Sequence, residues 1–459
     1  MKIRHLIVVF TLLVVAVSPR PASAEAGNGA GIKAGAARVD ITPAPGDLPP
    51  TYLGVHDRIY SRAIVVHNGD TGAVLISVDV GGVSDDTWKN VTQRIEKELG
   101  IPAMNVLMTA THTHSSPRRQ GTGLDDLIFQ SAKQASDAAR PARIGYGTGV
   151  SFININRNII DPKTRRWWEG PNYDGPSDKT VAVIAFETTD GEPIAVYYNY
   201  AMHAVILGQL DMVSGDVPGA ASRYIENSFD DKIVALWSTG AAGDQNPIYF
   251  QQTYDLREIR IKEYAKRGED ISNAMPPGGQ GLDRQDPTVK RLMDQQKQMA
   301  VSMGQFLGEE VLRVMRGIER TSTMAPILAG QKMVTCPGRE RTNTGRGGIA
   351  GTYKDGPDVS MRLSLLILDD IAIGGVSGEV YNLIAQRFKN ESPMARTMMA
   401  TITNGRATTG YIPNDAAFGY QVFEVLSSRL QPGCAESAIV NGLLDLMAEA
   451  KSPSPPPSQ

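Results

Sequence analysis

The chain has 459 residues and a formal net charge of −3. That length is enough for a large buried core or for two lobes. The interspersed charges leave no basic footprint for nucleic acid, and two cysteines, Cys336 and Cys434, are too few to build a metal site.

In chain order, Lys2 and Arg4 precede an apolar run at residues 6–17, and Ala22-Ser23-Ala24 follows with the small-x-small pattern of a signal-peptidase site. The run is too short for a bilayer, which takes roughly 20 residues. The expected layout is a signal peptide over 1–24, one catalytic domain over 25–450 and a disordered Pro/Ser tail over 451–459. The chain is then exported, periplasmic or secreted, without stable membrane insertion. In such a compartment Cys336 and Cys434 either pair or stay as two buried thiols.

Residues 62–66, the turn Asn68-Gly69-Asp70 and residues 73–80 predict a hairpin, as do 181–186, Asp190-Gly191 and 194–200. Further strands are predicted at 106–109, 233–237, 363–368, 371–373 and 398–403. Helical periodicity covers 85–99, 125–139, 220–227, 289–318 and 380–388. Residues 275–287 and 339–356 read as loops, and no internal repeat is present. The strand runs are apolar throughout, as strands buried on both faces are. The fold class is therefore α/β: mixed, largely buried β-sheets with helices packed on the faces.

Beyond the leader, the histidines are His56, His67, His112, His114 and His203. The strand at 105–110 runs into Thr111-His112-Thr113-His114-Ser115-Ser116-Pro117, and in extended chain His112 and His114 face the same side. His203 ends the strand at 194–202. A lone histidine there is more often a satisfied core residue, but histidines at two strand ends point to a shared site. Asp79, Asp244 and Glu379 also follow strands. Each can serve as a turn residue or cap, and Glu379 can serve as first-turn compensation of a helix dipole. Two histidines and a glutamate suit a catalytic zinc with one position left open.

Several segments together resemble the neutral/alkaline (non-lysosomal) ceramidase family. They are Ala37-Arg38-Val39-Asp40-Ile41-Thr42-Pro43, the stretch from Val55 through Ala63, the Thr-His-Thr-His-Ser-Ser-Pro run and Asn154-Ile155-Asn156-Arg157-Asn158. Met202-His203, Ser214-Gly215-Asp216, Gly243-Asp244, Gly378-Glu379 and Gly410-Tyr411-Ile412 follow in the family's order. The resemblance implies a ceramidase-like catalytic domain with Zn2+ held by His112, His203, Glu379 and Tyr411; His114 is the alternative to His112. It places His114 and Arg157 in the substrate pocket. Where the family has a proposed serine nucleophile in a G-D-V-S-P turn, this chain has Asn246 in Gly243-Asp244-Gln245-Asn246-Pro247. It also implies that the family's C-terminal immunoglobulin-like domain is missing here.

The expected chemistry is attack by zinc-activated water, because an amide side chain cannot replace serine. His114 or Asp244 is expected to move protons, Arg157 to hold a carboxylate or oxyanion, and Tyr411 to act as ligand or proton donor. The reading is an exported zinc hydrolase acting on an amide, ester or lactone of a small polar or acyl-bearing substrate. A ceramidase cleaving N-acyl sphingoid lipids is one alternative, and an inactive metal-containing binding protein is the other. Arg339, Arg341, Arg346 and Lys354 in the 339–356 loop serve an anionic ligand or are solvated charges.

Overall fold

The computed structural model describes residues 31–117, 122–272 and 275–451. The expected signal peptide and Pro/Ser tail lie outside the described residues. No described helix is long and apolar enough to cross a membrane.

The main sheet has nine strands. Eight run in the order Val234–Thr239, Pro193–Tyr200, Thr180–Thr188, Arg140–Val150, Lys33–Asp40, Tyr60–Asn68, Thr71–Val78 and Val106–Ala110, and Thr321–Ser322 joins the side of Arg140–Val150. Lys33–Asp40 pairs along its whole length with Tyr60–Asn68, but touches Arg140–Val150 only through Lys33–Pro141 and Ala34–Arg140. The sheet bends at that weak seam. Its two outermost strands therefore meet: the Thr239 hydroxyl donates to the Ala110 carbonyl at 3.0 Å.

A second sheet, Ile327–Arg341, Tyr353–Leu368, Ile371–Val376 and Arg396–Thr401, packs into the bend. Strand alternation separates the layers. Leu75, Leu107, Ile184 and Tyr197 face inward against Leu366, Ile373 and Met398. Val74 and Ile76 face outward onto Val91, Ile95 and Ile128 of helices Asp85–Leu99 and Thr122–Asp137. Leu363 and Leu365 of the second sheet meet Phe388 and Leu443 on its own helices. The central strands are covered on both faces, which is why they read as unbroken apolar runs, whereas the far end of the long hairpin Ile327–Arg341 and Tyr353–Leu368 is not.

Both expected hairpins form, the second with a register shift between Pro193 and Ala195. The 339–356 segment departs from its reading as a loop. Its ends extend the long hairpin, pairing Arg339 with Asp355 and Arg341 with Tyr353, so only the tip is irregular. Polar composition hid a strand pair that is exposed on one side. Strand Arg396–Thr401 stops short of residue 403 because Ile402 and Asn404 have positive φ, +56° and +52°. The helix expected at 380–388 starts later, at Asn382, and Glu379 sits instead in the two-residue strand Glu379–Val380. It is thus not a first-turn residue of that helix. Helices Gln251–Ala265 and Ala435–Lys451 were not anticipated. Cys336 and Cys434 form a disulfide that ties the long hairpin to the start of Ala435–Lys451.

Candidate metal centre

The C-terminal ends of Val106–Ala110, Pro193–Tyr200 and Ile371–Val376 converge, and each delivers one side chain. His112 follows the first and has φ +60°, a conformation uncommon outside glycine. His203 follows the second. Glu379 follows the third, held by parallel pairing of Glu379–Val380 with Tyr411–Ile412. Glu379 Oε2 lies 3.3 Å from His112 Nε2 and 3.4 Å from His203 Nε2.

The outer ring nitrogens fix the protonation pattern. His112 Nδ1 is 2.6 Å from the Gly81 carbonyl, and His203 Nδ1 is 2.6 Å from that of Ala242. Carbonyl oxygens only accept, so each Nδ1 carries a hydrogen, and in the tautomer that can bind a metal each imidazole turns a bare Nε2 inward. Those two atoms and Glu379 Oε2 are buried without a hydrogen bond. Three acceptors facing one another repel unless a cation lies between them, and carbonyl-anchored imidazoles are the usual orientation of metal ligands. The donor set fits a metal ion.

His114 joins the cluster from the solvent side. Its ring centroid is 4.9 Å from that of His112 and 5.9 Å from that of His203. One ligand atom from each of these three histidines falls within 4.8 Å of the others. Tyr411 lies beside His203, with ring centroids 6.3 Å apart. The cluster thus brings together His112, His114, His203, Glu379 and Tyr411. Burial, with Arg157 nearby, lowers the His203 pKa to about 4 against the pull of Glu379. Burial alone drives Glu379 upward, but His112 and His203 outweigh it and hold the carboxyl well below its usual range.

The frame around the cluster is polar. The His114 N–H donates to the Ala204 carbonyl at 3.0 Å, joining the two histidine loops. The Thr113 hydroxyl donates to the Ser214 carbonyl at 2.8 Å, and Asp216 accepts from the N–H groups of Leu207 and Val217. The Ser214-Gly215-Asp216 turn therefore braces both loops.

Asp244, Arg157 and Asn246 form a layer behind the cluster. Asp244 accepts from Asn156 Nδ2 and the Asn382 N–H, each at 2.9 Å, so its two oxygens tie the strand Asn154–Ile160 to the start of the helix Asn382–Glu391. Arg157 donates to the Gly243 carbonyl at 2.6 Å and to Asn246 Oδ1 at 3.0 Å, and its Nε lies 2.6 Å from Glu424. Its guanidinium is spent on the protein rather than turned to a ligand carboxylate. Asn246 Nδ2 donates to Glu169 at 3.2 Å, so its amide bridges Arg157 and Glu169. Glu169 in turn contacts Arg346 at 3.0 Å and Arg257 at 3.4 Å. Burial alone would raise the Glu169 carboxyl, but Arg346, Arg157 and Arg257 bring it down to about 2. Glu169, Glu424 and Arg257 were not picked out from the sequence. Each lies far from the histidine motifs, and no local pattern marks them. Asp79 ends its strand as expected but is paired with Arg62 at 2.9 Å, away from the cluster.

Two histidines and a carboxylate at converging strand ends, on a mixed α/β frame, make a site that could hold a metal ion. The chain is similar to the neutral/alkaline non-lysosomal ceramidases in part of its sequence and in its fold. The family model described as neutral/alkaline non-lysosomal ceramidase, N-terminal, matches residues 46–122. The neutral ceramidase of Pseudomonas aeruginosa is 25% identical over 250 residues, covering 47% of this chain and 37% of that protein. That of Drosophila melanogaster is 24% identical over 255 residues, covering 47% and 36%. The aligned part therefore spans little more than a third of these relatives' length. The crystal structure of the Pseudomonas aeruginosa neutral ceramidase has the same fold, with a TM-score of 0.68 at 16% identity, covering 91% of this chain and 74% of that one.

Proposed function

We propose that the protein is an exported zinc-dependent hydrolase that cleaves N-acyl amide bonds with water as the nucleophile. The carrying observation is the set of three inward-facing acceptors, with Glu379 Oε2 at 3.3 Å from His112 Nε2 and 3.4 Å from His203 Nε2. His112, His203 and Glu379 hold the ion, with Tyr411 or His114 completing the set. When bound, zinc polarises a carbonyl and brings the pKa of water near 7.

The rest of the work falls to the chain. His114, on the solvent side of the cluster, is the group placed to carry a proton between substrate and solvent. Arg157 positions the site by clamping the Gly243 carbonyl and Asn246. Asp244 acts through its grip on Asn382 rather than by proton transfer. Asn246 bridges Arg157 and Glu169, and an amide so held offers no nucleophile.

The matched relatives are neutral ceramidases. That favours an N-acyl sphingoid lipid over the small polar amides, esters and lactones expected from the sequence. The disulfide supports export, since disulfides persist in oxidising compartments. A single catalytic unit over residues 25–450 completes the proposal.

The test is turnover of a short-chain ceramide and a panel of simpler N-acyl amides by protein of known metal content. Amide cleavage that scales with bound zinc supports the reading. A protein that holds zinc yet cleaves none of the panel is a binding protein instead.

A further inference from the structure

Beside the candidate metal centre lies a cleft of about 170 Å³ whose lining includes His112, Glu379, Arg406 and Arg429. Its remaining lining is mostly short, glycines and Ala407 with the hydroxyls of Ser377 and Thr408, and its one large apolar side chain is Ile402. Both arginines are exposed at the side chain while their backbones are pinned. The Ala407 N–H donates to the Ser377 carbonyl and the Arg429 N–H to the Thr409 carbonyl, each at 2.8 Å. Neither guanidinium makes an ion pair or side-chain hydrogen bond with the described residues. Glu340, an acid that feels the charge of Arg429, is already paired with Lys354 at 2.9 Å. By contrast Arg157, Arg257, Arg346 and Arg362 all have carboxylate partners.

We infer that Arg406 and Arg429 form an anion subsite, and that the preferred substrates are N-acyl amides carrying a carboxylate or phosphate on the non-acyl side of the scissile bond. This rests on the amide-hydrolase reading above. A small polar cleft ending in two guanidinium groups suits a charged head and not an acyl chain. Guanidinium binds carboxylate and phosphate through paired, charge-assisted hydrogen bonds. An anion held there leaves its amide carbonyl beside His112 and Glu379.

The experiment compares N-lauroylglycine with N-lauroylethanolamine, which differ in the carboxylate, and ceramide 1-phosphate with ceramide, which differ in the phosphate. Wild type, Arg406→Ala and Arg429→Ala are each measured for kcat/KM and, by calorimetry, for binding. The anionic member of at least one pair is expected to be favoured by wild type. Each variant should lose about 10–100-fold on it, the worth of one charge-assisted contact, with metal content and the neutral member unchanged. Which pair responds separates carboxylate from phosphate. Equal handling of charged and neutral members by all three proteins, in turnover and in binding, overturns the subsite. If charge-dependent binding that needs both arginines persists without any turnover, the subsite stands and the hydrolase reading fails.

Discussion

His112 and His203 present their inner nitrogens because Gly81 and Ala242 hold the outer ones. Losing either imidazole leaves two ligands from this trio. His203→Ala and His112→Ala are each expected to drop from about one zinc per chain to near none after dialysis, read by elemental analysis. Full occupancy in both variants would place the ion elsewhere. Gly243 matters for a different reason. A Cβ there would sit 2.9 Å from the Glu379 and Val380 carbonyl oxygens, closer than real Cβ contacts come. Gly243→Ala should push the Glu379 strand outward, costing about 1–3 kcal/mol in urea unfolding and weakening metal retention; a wild-type unfolding curve would show that the loop yields freely. The histidines and Glu379 were legible because each directly follows an apolar strand. Glu169 and Glu424 were not, because only tertiary packing brings them to Arg157.

At the scale of elements, the histidine loops are braced by the turn at Asp216, whose carboxylate takes the Leu207 and Val217 N–H groups. Burial raises its pKa to about 6 from the ordinary 3.8, against those hydrogen bonds. The native state then keeps a proton that the unfolded chain has released between pH 4 and 6. This group's contribution is full below pH 4 and is lost as pH rises through 6. In metal-free protein, Asp216→Asn should therefore be less stable at both ends of that window but show a smaller loss from pH 4 to pH 6.5 than wild type does. An unchanged pH dependence in urea unfolding would rule out titration at Asp216. Strands buried on both faces were readable from unbroken apolar runs. The long hairpin was not, since polar residues on its exposed side, such as Lys354 and Asp355, break the pattern. Helix Gln251–Ala265 escaped because its polar residues are spread around all sides and it buries only Leu256, Arg257 and Arg260.

Across the whole molecule, two features place the centre: the bend at the Lys33–Asp40 seam and the second sheet lodged within it. The Thr401 hydroxyl reaches the Gly240 carbonyl at 2.8 Å, and Thr109 bridges to Thr403, so three strand ends from two sheets are locked together beside the cluster. Strand order and the bend depend on long-range pairing, which no local sequence pattern encodes. The Cys336–Cys434 bond adds a covalent tie across 98 residues. Replacing both cysteines by serine should cost about 2–4 kcal/mol in urea unfolding through the released chain entropy, while the metal content stays at wild type. Loss of metal would couple that distant hairpin to the centre. The central claim is that metal-dependent water attack replaces the serine chemistry implied by the family pattern. Its most direct test is the rate of N-acyl amide hydrolysis as zinc is stripped by chelation and then restored in measured steps. The expected rate is proportional to occupied sites, falling to background in stripped protein and returning on zinc addition, with no acyl group attached to the chain during turnover. An undiminished rate in fully stripped protein would contradict it.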